Sequence, residues 1–171
     1  MKKEKNNFGM RKIAIRSLLV ALAMVLSYVE SQMPVEAFVP GMKLGLTNLV
    51  VMVALYRLNE KEAIMINIIR IFLVGFTFGN MFSIAYSLAG GMLSGIVMIA
   101  LKKTQKVSMT TVSVAGGVAH NVGQILVAMV VLETTAIVYY LLILWIAGVF
   151  AGIVIGVLSA EVTKRLPKTI I

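Results

Sequence analysis

The sequence lacks cysteine and aspartate altogether, and it holds a single histidine and three prolines. Without cysteine the chain offers no thiolate nucleophile and no cysteine metal ligand, and one histidine cannot build a histidine-rich zinc site. Without aspartate it lacks the paired carboxylates that commonly hold magnesium, and no GxxxxGKS or GxxxxGKT phosphate loop is present. These absences argue against an enzyme, and we predict neither a cofactor nor a metal site.

Charged residues are scarce and apolar residues abundant. Of the 171 residues, 60% are hydrophobic and 13% are charged, and the mean hydropathy is +0.97. Soluble domains carry roughly 25% charged residues, and a soluble fold of this size cannot bury so much apolar surface. The composition therefore predicts an all-α integral membrane protein in which residues 1–171 form one transmembrane domain.

Six apolar runs are long enough to be considered as transmembrane helices. A helix that crosses the bilayer needs ~20 apolar residues for a hydrocarbon core of ~30 Å. The second and third runs are shorter than this, so flanking segments or tilted neighbours must complete them. The runs are 13–33, 44–58, 63–78, 82–101, 112–132 and 137–162.

The basic residues predict the orientation of these helices. With the N-terminus in the cytoplasm, every one of the 16 lysines and arginines except Lys43 and Arg70 lies at a cytoplasmic end. This is the bias that the positive-inside rule describes. We therefore expect six helices with both termini cytoplasmic in a plasma membrane, a cytoplasmic tail over 1–11 and an extracellular loop over 34–43. Because the basic residues lie between apolar runs, no nucleic-acid partner is expected.

Five polar residues fall at membrane depth, where an arginine alone costs ~2.5 to 3.5 kcal/mol on insertion scales. Two interpretations stay open: these side chains hydrogen-bond one another and join the third helix to the fifth, or they line a solute cavity that opens to the outside. The residues are Asn67 and Arg70 in the third run and His120, Asn121 and Gln124 in the fifth.

The loop over 34–43 lies beside the short second run. It contains Pro34 and Pro40, and we expect it to dip into the membrane, where irregular backbone survives only against protein or a water-filled cavity. Short helices beside such a loop are typical of a transporter's binding site. Lys43 and Asn48 would then join the cavity, although Lys43 is equally explained as an interfacial lysine or as a partner of a nearby glutamate. Such a cavity favours an anionic ligand.

Small residues recur four positions apart, a spacing that lets helices approach closely in lipid. We expect these stripes to pack inside the bundle, and the alternative is that one of them faces another subunit. The first helix offers Ser17 with Ala21 and Ala23 with Ser27.

Four stretches resemble the Gx transporter family, whose members are commonly labelled heptaprenyl diphosphate synthase component I. The similarity runs from Arg11 to Lys164. The stretches are Pro-Gly-Met-Lys-Leu-Gly-Leu-Thr-Asn over 40–48, Arg70 with Gly75 and Gly79, Ser-Leu-Ala-Gly-Gly-Met-Leu-Ser over 87–94, and His-Asn-Val-Gly-Gln over 120–124 after Gly117.

This family is in turn similar to the S components of energy-coupling factor (ECF) transporters of bacteria. The resemblance implies a six-helix subunit that binds a vitamin-like, isoprenoid-, flavin- or quinone-related solute. It also implies that helix one, with Ser17 and Ala21, docks on a transmembrane scaffold subunit driven by two ATPases. The alternative is a non-catalytic membrane accessory of isoprenoid or quinone biosynthesis, or of a flavin- or quinone-linked redox system.

Overall fold

The computed structural model of the protein describes residues 2–32 and 45–167, with side chains from Met10 onward. Regular structure in these ranges is entirely helical. The six α-helices are α1 (Lys2–Ser31), α2 (Leu46–Arg57), α3 (Glu60–Phe78), α4 (Met81–Thr104), α5 (Met109–Val131) and α6 (Tyr140–Arg165), and a 3-10 turn over Ala136–Tyr139 precedes α6.

Four helical segments are long and apolar enough to cross a membrane: Met10–Ser31, Met81–Thr104, Met109–Val131 and Ala136–Arg165. The chain is accordingly an all-α protein of multi-pass membrane type. Helix α2 is apolar but has only 12 residues, which is ~18 Å of helix. Helix α3 has 19 residues and carries charged groups in its first turn and at Arg70. Six spans with both termini cytoplasmic remain a prediction.

Polar caps decide where three of the helices begin. Helix α3 starts three residues before its apolar run because Asn59 accepts a hydrogen bond from the backbone N–H of Glu62 at 2.9 Å. Asn80 does the same for α4 and Ser108 for α5. An N-cap of this kind satisfies a donor that the first helical turn leaves without a partner. Capping thus extends these helices beyond the apolar residues from which the spans were predicted.

Helix α2 forms the centre of the core. Its residues Val50 to Leu55 are all buried, and Met52 and Leu55 are among the largest side chains with no contact to the exterior. Ile66 of α3 and Val112 of α5 complete this cluster. The apolar composition of α2 therefore reflects burial among other helices rather than contact with lipid.

Helices α4, α5 and α6 approach one another closely at glycines. A Cβ atom added at Gly123 would lie 2.7 Å from the carbonyl oxygen of Ala89 on α4. One added at Gly117 would lie 2.7 Å from the carbonyl oxygen of Gly148, and one at Gly152 would lie 2.6 Å from the Cα of Val114. The small-residue stripes in these helices therefore pack inside the bundle, as the sequence predicted. Gly95 differs, since nothing lies within 4 Å of its added Cβ.

One end of the bundle, called here the basic end, carries most of the described lysines and arginines. It is formed by the α2–α3 and α4–α5 turns and by the end of α6. Several polar contacts connect the helices there. They are the ion pairs Arg16 to Glu62 and Lys103 to Glu60, and the hydrogen bonds from Lys102 to the Leu55 carbonyl and from Arg57 to the Thr163 carbonyl.

Candidate functional site

A cavity of about 350 Å³ lies between the helices, and all six α-helices contribute to its wall. It extends from the end opposite the basic end, where Ser31, Gly45 and Gly79 line it, to Ser113, which lies little more than one turn from the start of α5. Its volume is at the lower end of the range for small-molecule sites, about 300 to 1,000 Å³.

Arg70 is the buried cation of this cavity. The residue is 8% exposed, and its Nε donates a 3.0 Å hydrogen bond to Oδ1 of Asn67, one helical turn earlier. The Asn67 amide in turn donates to the carbonyl of Gly91 at 3.3 Å, which ties α3 to α4 and orients Arg70. Among the described residues, no carboxylate lies within 4 Å of the guanidinium. Glu30 attracts it from farther away.

Asn121 and His120 bring α5 to the cavity wall. The side-chain nitrogen of Asn121 donates a 2.5 Å hydrogen bond to the carbonyl of Leu144 on α6. This contact needs the absence of a side chain at Gly148, because a Cβ there would lie 2.8 Å from the same nitrogen. Asn121 therefore serves the packing of α5 on α6 and also lines the cavity.

The end of α1 and the start of α2 form the opposite wall. A carboxylate oxygen of Glu30 accepts the backbone N–H of Gly45 at 2.5 Å, and Gly45 has a left-handed φ of 73° that favours glycine. The hydroxyls of Ser27 and Thr47 are 2.8 Å apart in a buried hydrogen bond. These contacts direct the first turn of α2, with Thr47 and Asn48, at the cavity.

The structure brings four of the seven predicted site residues together. Asn48, Arg70, His120 and Asn121 line the cavity. Asn67 lies behind Arg70 as its hydrogen-bond acceptor, and Gln124 is buried at the contact between α5 and α4, close to where a Cβ on Gly90 would lie. Lys43 and the loop over 34–43 lie outside the described residues. The hydrogen bonds of Asn67 and Asn121 join α3 to α4 and α5 to α6.

Sequence reasoning missed the hydroxyl groups that cover much of the wall. Their spacing could have identified them, because residues four positions apart share a helix face. Ser83 and Ser87 are four positions apart on α4, and Ser113, Gly117 and Asn121 repeat every fourth position on α5. The only serines considered for their spacing were Ser17 and Ser27 of the first helix, each as a small residue paired with an alanine. The wall thus combines one buried cation, amides and hydroxyls, which suits hydrogen bonding and anion binding rather than covalent chemistry. In the described part of the chain, no three histidine or acidic side chains cluster as metal ligands.

The two small-residue pairs of α1 lie on different faces. Ala23 and Ser27 are buried against the bundle, whereas Ser17 and Ala21 are exposed. Ala14 is exposed as well, so a strip of small side chains runs along the outward face of α1. The predicted docking residues are therefore accessible to another membrane helix.

Comparison with known proteins gives one match. The family model described as heptaprenyl diphosphate synthase component I matches residues 19–162, a range that includes every cavity-lining residue named above. No curated protein and no solved structure matches the chain.

Proposed function

We propose that this chain, which belongs to the heptaprenyl diphosphate synthase component I family, binds a small anionic solute as the membrane subunit of an ECF-type importer. In this proposal the cavity is the solute site, and the chain itself performs no chemistry. The family is named for a component of a synthase, and a non-catalytic component is compatible with a chain that has no aspartate.

Arg70 is the observation that carries this proposal. A buried guanidinium is costly in a membrane protein unless an anion or a set of acceptors compensates its charge. Among the described residues, Arg70 has one side-chain hydrogen bond and no carboxylate within 4 Å, and it lines the cavity. Glu30 compensates in part, but its carboxylate already accepts the Gly45 N–H. A carboxylate or phosphate on a ligand would accept the remaining hydrogen bonds of the Arg70 guanidinium and compensate its charge.

The cavity wall favours a compact polar solute over an extended isoprenoid chain. Hydroxyls and amides from four helices (α1, α2, α4 and α5) face the space, and its volume is about 350 Å³. A long prenyl chain would bury apolar carbon against these polar groups and leave their hydrogen bonds unmade. A vitamin-sized molecule with an acidic group, such as a flavin or the head of a quinone precursor, fits both the volume and the chemistry.

The exposed strip of α1 supports the transport half of the proposal. Small residues let two membrane helices approach until their backbones are in contact. Ala14, Ser17 and Ala21 present such a surface outward. We assign it to the scaffold subunit, which would couple the solute subunit to two ATPases. Binding of the solute itself then requires no ATP.

Native mass spectrometry of the gently purified protein tests the proposal. The expected result is a stoichiometric small molecule with an acidic group, released on denaturation. Arg70→Gln, which removes the buried charge, should lower its occupancy by about tenfold or more, since a charge-assisted hydrogen bond contributes roughly 1.5 to 3 kcal/mol. Arg165→Gln is the matched control, because Arg165 is exposed and its one ion pair among the described residues is with Glu161, one turn away.

Two results would contradict the proposal. One is a retained ligand whose occupancy is equal in Arg70→Gln and Arg165→Gln, which would remove Arg70 from the site. The other is an empty protein that holds a stoichiometric synthase or flavoprotein subunit. That result would favour the accessory role that the family's description names.

A further inference from the structure

Three buried polar groups lie between the cavity and the basic end of the bundle. On α6 the last residue of the cavity wall toward that end is Ile155. Ser159 follows one helical turn later and Thr163 one turn after that, so both lie on the face that continues the wall. Arg57, the last residue of α2, reaches the same place and donates a hydrogen bond to the carbonyl of Thr163. Arg57, Ser159 and Thr163 are called here the α2–α6 polar cluster.

The cluster holds polar atoms that have no hydrogen-bond partner among the described residues. They are Nε of Arg57, Oγ of Ser159 and Oγ1 of Thr163, and each is buried. Ser159 as a whole is 0% exposed. Buried polar atoms in proteins nearly always have a partner, and where no protein group serves, an internal water does. One N–H donor and two hydroxyls give the two to four polar partners that such a water needs.

The same cluster holds the end of α2 in place. Arg57 joins α2 to α6, and Lys102 of α4 joins α2 from another side by donating to the carbonyl of Leu55 at 2.7 Å. Helix α2 is the central, buried helix of the bundle, so these two contacts hold its last turn against α4 and α6.

We propose that the α2–α6 polar cluster is a hydrated internal site that closes the cavity at the basic end. Water bridges Arg57 Nε to the hydroxyls of Ser159 and Thr163, and the contact from Arg57 to the Thr163 carbonyl keeps α2 against α6. The cavity is then accessible from the opposite end alone. This inference does not depend on which solute binds, or on whether any does.

The absence of cysteine makes the closure directly measurable. Ser113→Cys places the sole thiol of the protein at the cavity floor. In sealed vesicles, a membrane-impermeant thiol reagent applied to the basic end should label this thiol very slowly. Adding Arg57→Ala should raise that rate by about ten- to a hundredfold, the shift expected when a buried charge-assisted hydrogen bond is lost. Adding Lys106→Ala instead should leave it unchanged, because Lys106 is an exposed cation in the α4–α5 turn at the same end and forms no ion pair among the described residues.

Rapid labelling from the basic end in the Ser113→Cys protein itself would overturn the closure, and so would equal rates in the Arg57→Ala and Lys106→Ala backgrounds. If Arg57→Ala fails to give a monodisperse protein, Arg57→Lys keeps the charge but loses the Nε–H, and a smaller rise is expected. The hydration has its own test. An experimental structure that resolves water should show density within about 3.2 Å of Arg57 Nε, and a dry cluster there would refute it.

Discussion

Asn121 shows how one side chain serves both packing and the cavity. Its amide nitrogen is used by the Leu144 carbonyl on α6, so the residue connects two helices while it lines the wall. The sequence identified Asn121 as a ligand residue, and its structural role was open at that stage. Which neighbour an amide selects depends on how two helices cross, and that crossing is decided here by Gly148, far along the chain.

We expect Asn121→Ala to lower stability as well as solute binding. The lost hydrogen bond should cost about 1 kcal/mol of unfolding free energy, because Leu144 is buried and water cannot easily replace the donor. Thermal unfolding of the purified variant in detergent measures this. Ser87→Ala is the matched control: it changes the cavity wall but removes no side-chain hydrogen bond present among the described residues. Equal unfolding midpoints in the two variants would contradict the packing role.

Arg70 and Asn67 illustrate what spacing alone can predict. Their separation of three positions predicts a shared face, and the structure shows the hydrogen bond between them. Spacing also marked Gln124 as part of the same polar face of α5, yet Gln124 points at α4 and not at the cavity. The difference arises because α5 packs on both α4 and α6. The side chains of one turn of α5 therefore face α4, α6 or the cavity.

At the level of helices, glycines determine which pairs pack most closely. Gly123 brings α5 against the backbone of α4, whereas Gly95 on α4 meets no described atom within 4 Å of an added Cβ. Both glycines lie within helices, each with a small residue four positions earlier: Gly91 before Gly95 and Ala119 before Gly123. The sequence pattern around the two glycines is similar, so only the arrangement of the helices distinguishes a glycine in a close contact from one without it.

This contrast gives a paired prediction. Gly123→Ala should destabilise the protein by roughly 1 to 3 kcal/mol, because the new methyl group would lie 2.7 Å from the Ala89 carbonyl oxygen and the helices must separate. Gly95→Ala should be neutral or stabilising by up to about 1 kcal/mol, since alanine restricts the unfolded chain. Unfolding in mixed micelles compares the two variants. A larger loss for Gly95→Ala would show that the α4–α5 contact is placed wrongly.

Apart from the start of α1, which lies at Lys2 and not at residue 13, the helix boundaries were predictable to within a few residues, for a physical reason. Apolar runs mark where lipid or core surrounds a helix, and they gave 44–58 for a helix that extends over Leu46–Arg57. They missed the start of α3 at Glu60, because a capped, charged first turn is helical without being apolar. Hydropathy reports the environment of a segment, and capping determines where its hydrogen bonds begin.

At the scale of the whole molecule, the charge distribution predicts an orientation that cysteine labelling can test. Lys103→Cys marks the basic end and Thr135→Cys the opposite end, and both positions are exposed. With an impermeant maleimide on intact cells, we expect the thiol of Thr135→Cys to react and that of Lys103→Cys to react only after the cells are permeabilised. The reverse pattern would invert the topology and place the cavity mouth in the cytoplasm.

The glycine contacts divide the bundle into parts of unequal rigidity. Helices α4, α5 and α6 meet backbone to backbone, whereas α1, α2 and α3 are attached through side chains such as Arg57, Lys102 and Asn67. Contacts between backbones cannot be relaxed by changing a rotamer, so we expect slow hydrogen exchange in the three later helices and in the buried α2, and faster exchange in α1 and α3. The cavity wall formed by α4, α5 and α6 is therefore rigid, and the wall formed by α1 and α3 can adjust. Such a cavity can tolerate variation in the part of a solute that contacts the adjustable wall, while it discriminates strictly in the part that contacts the rigid wall.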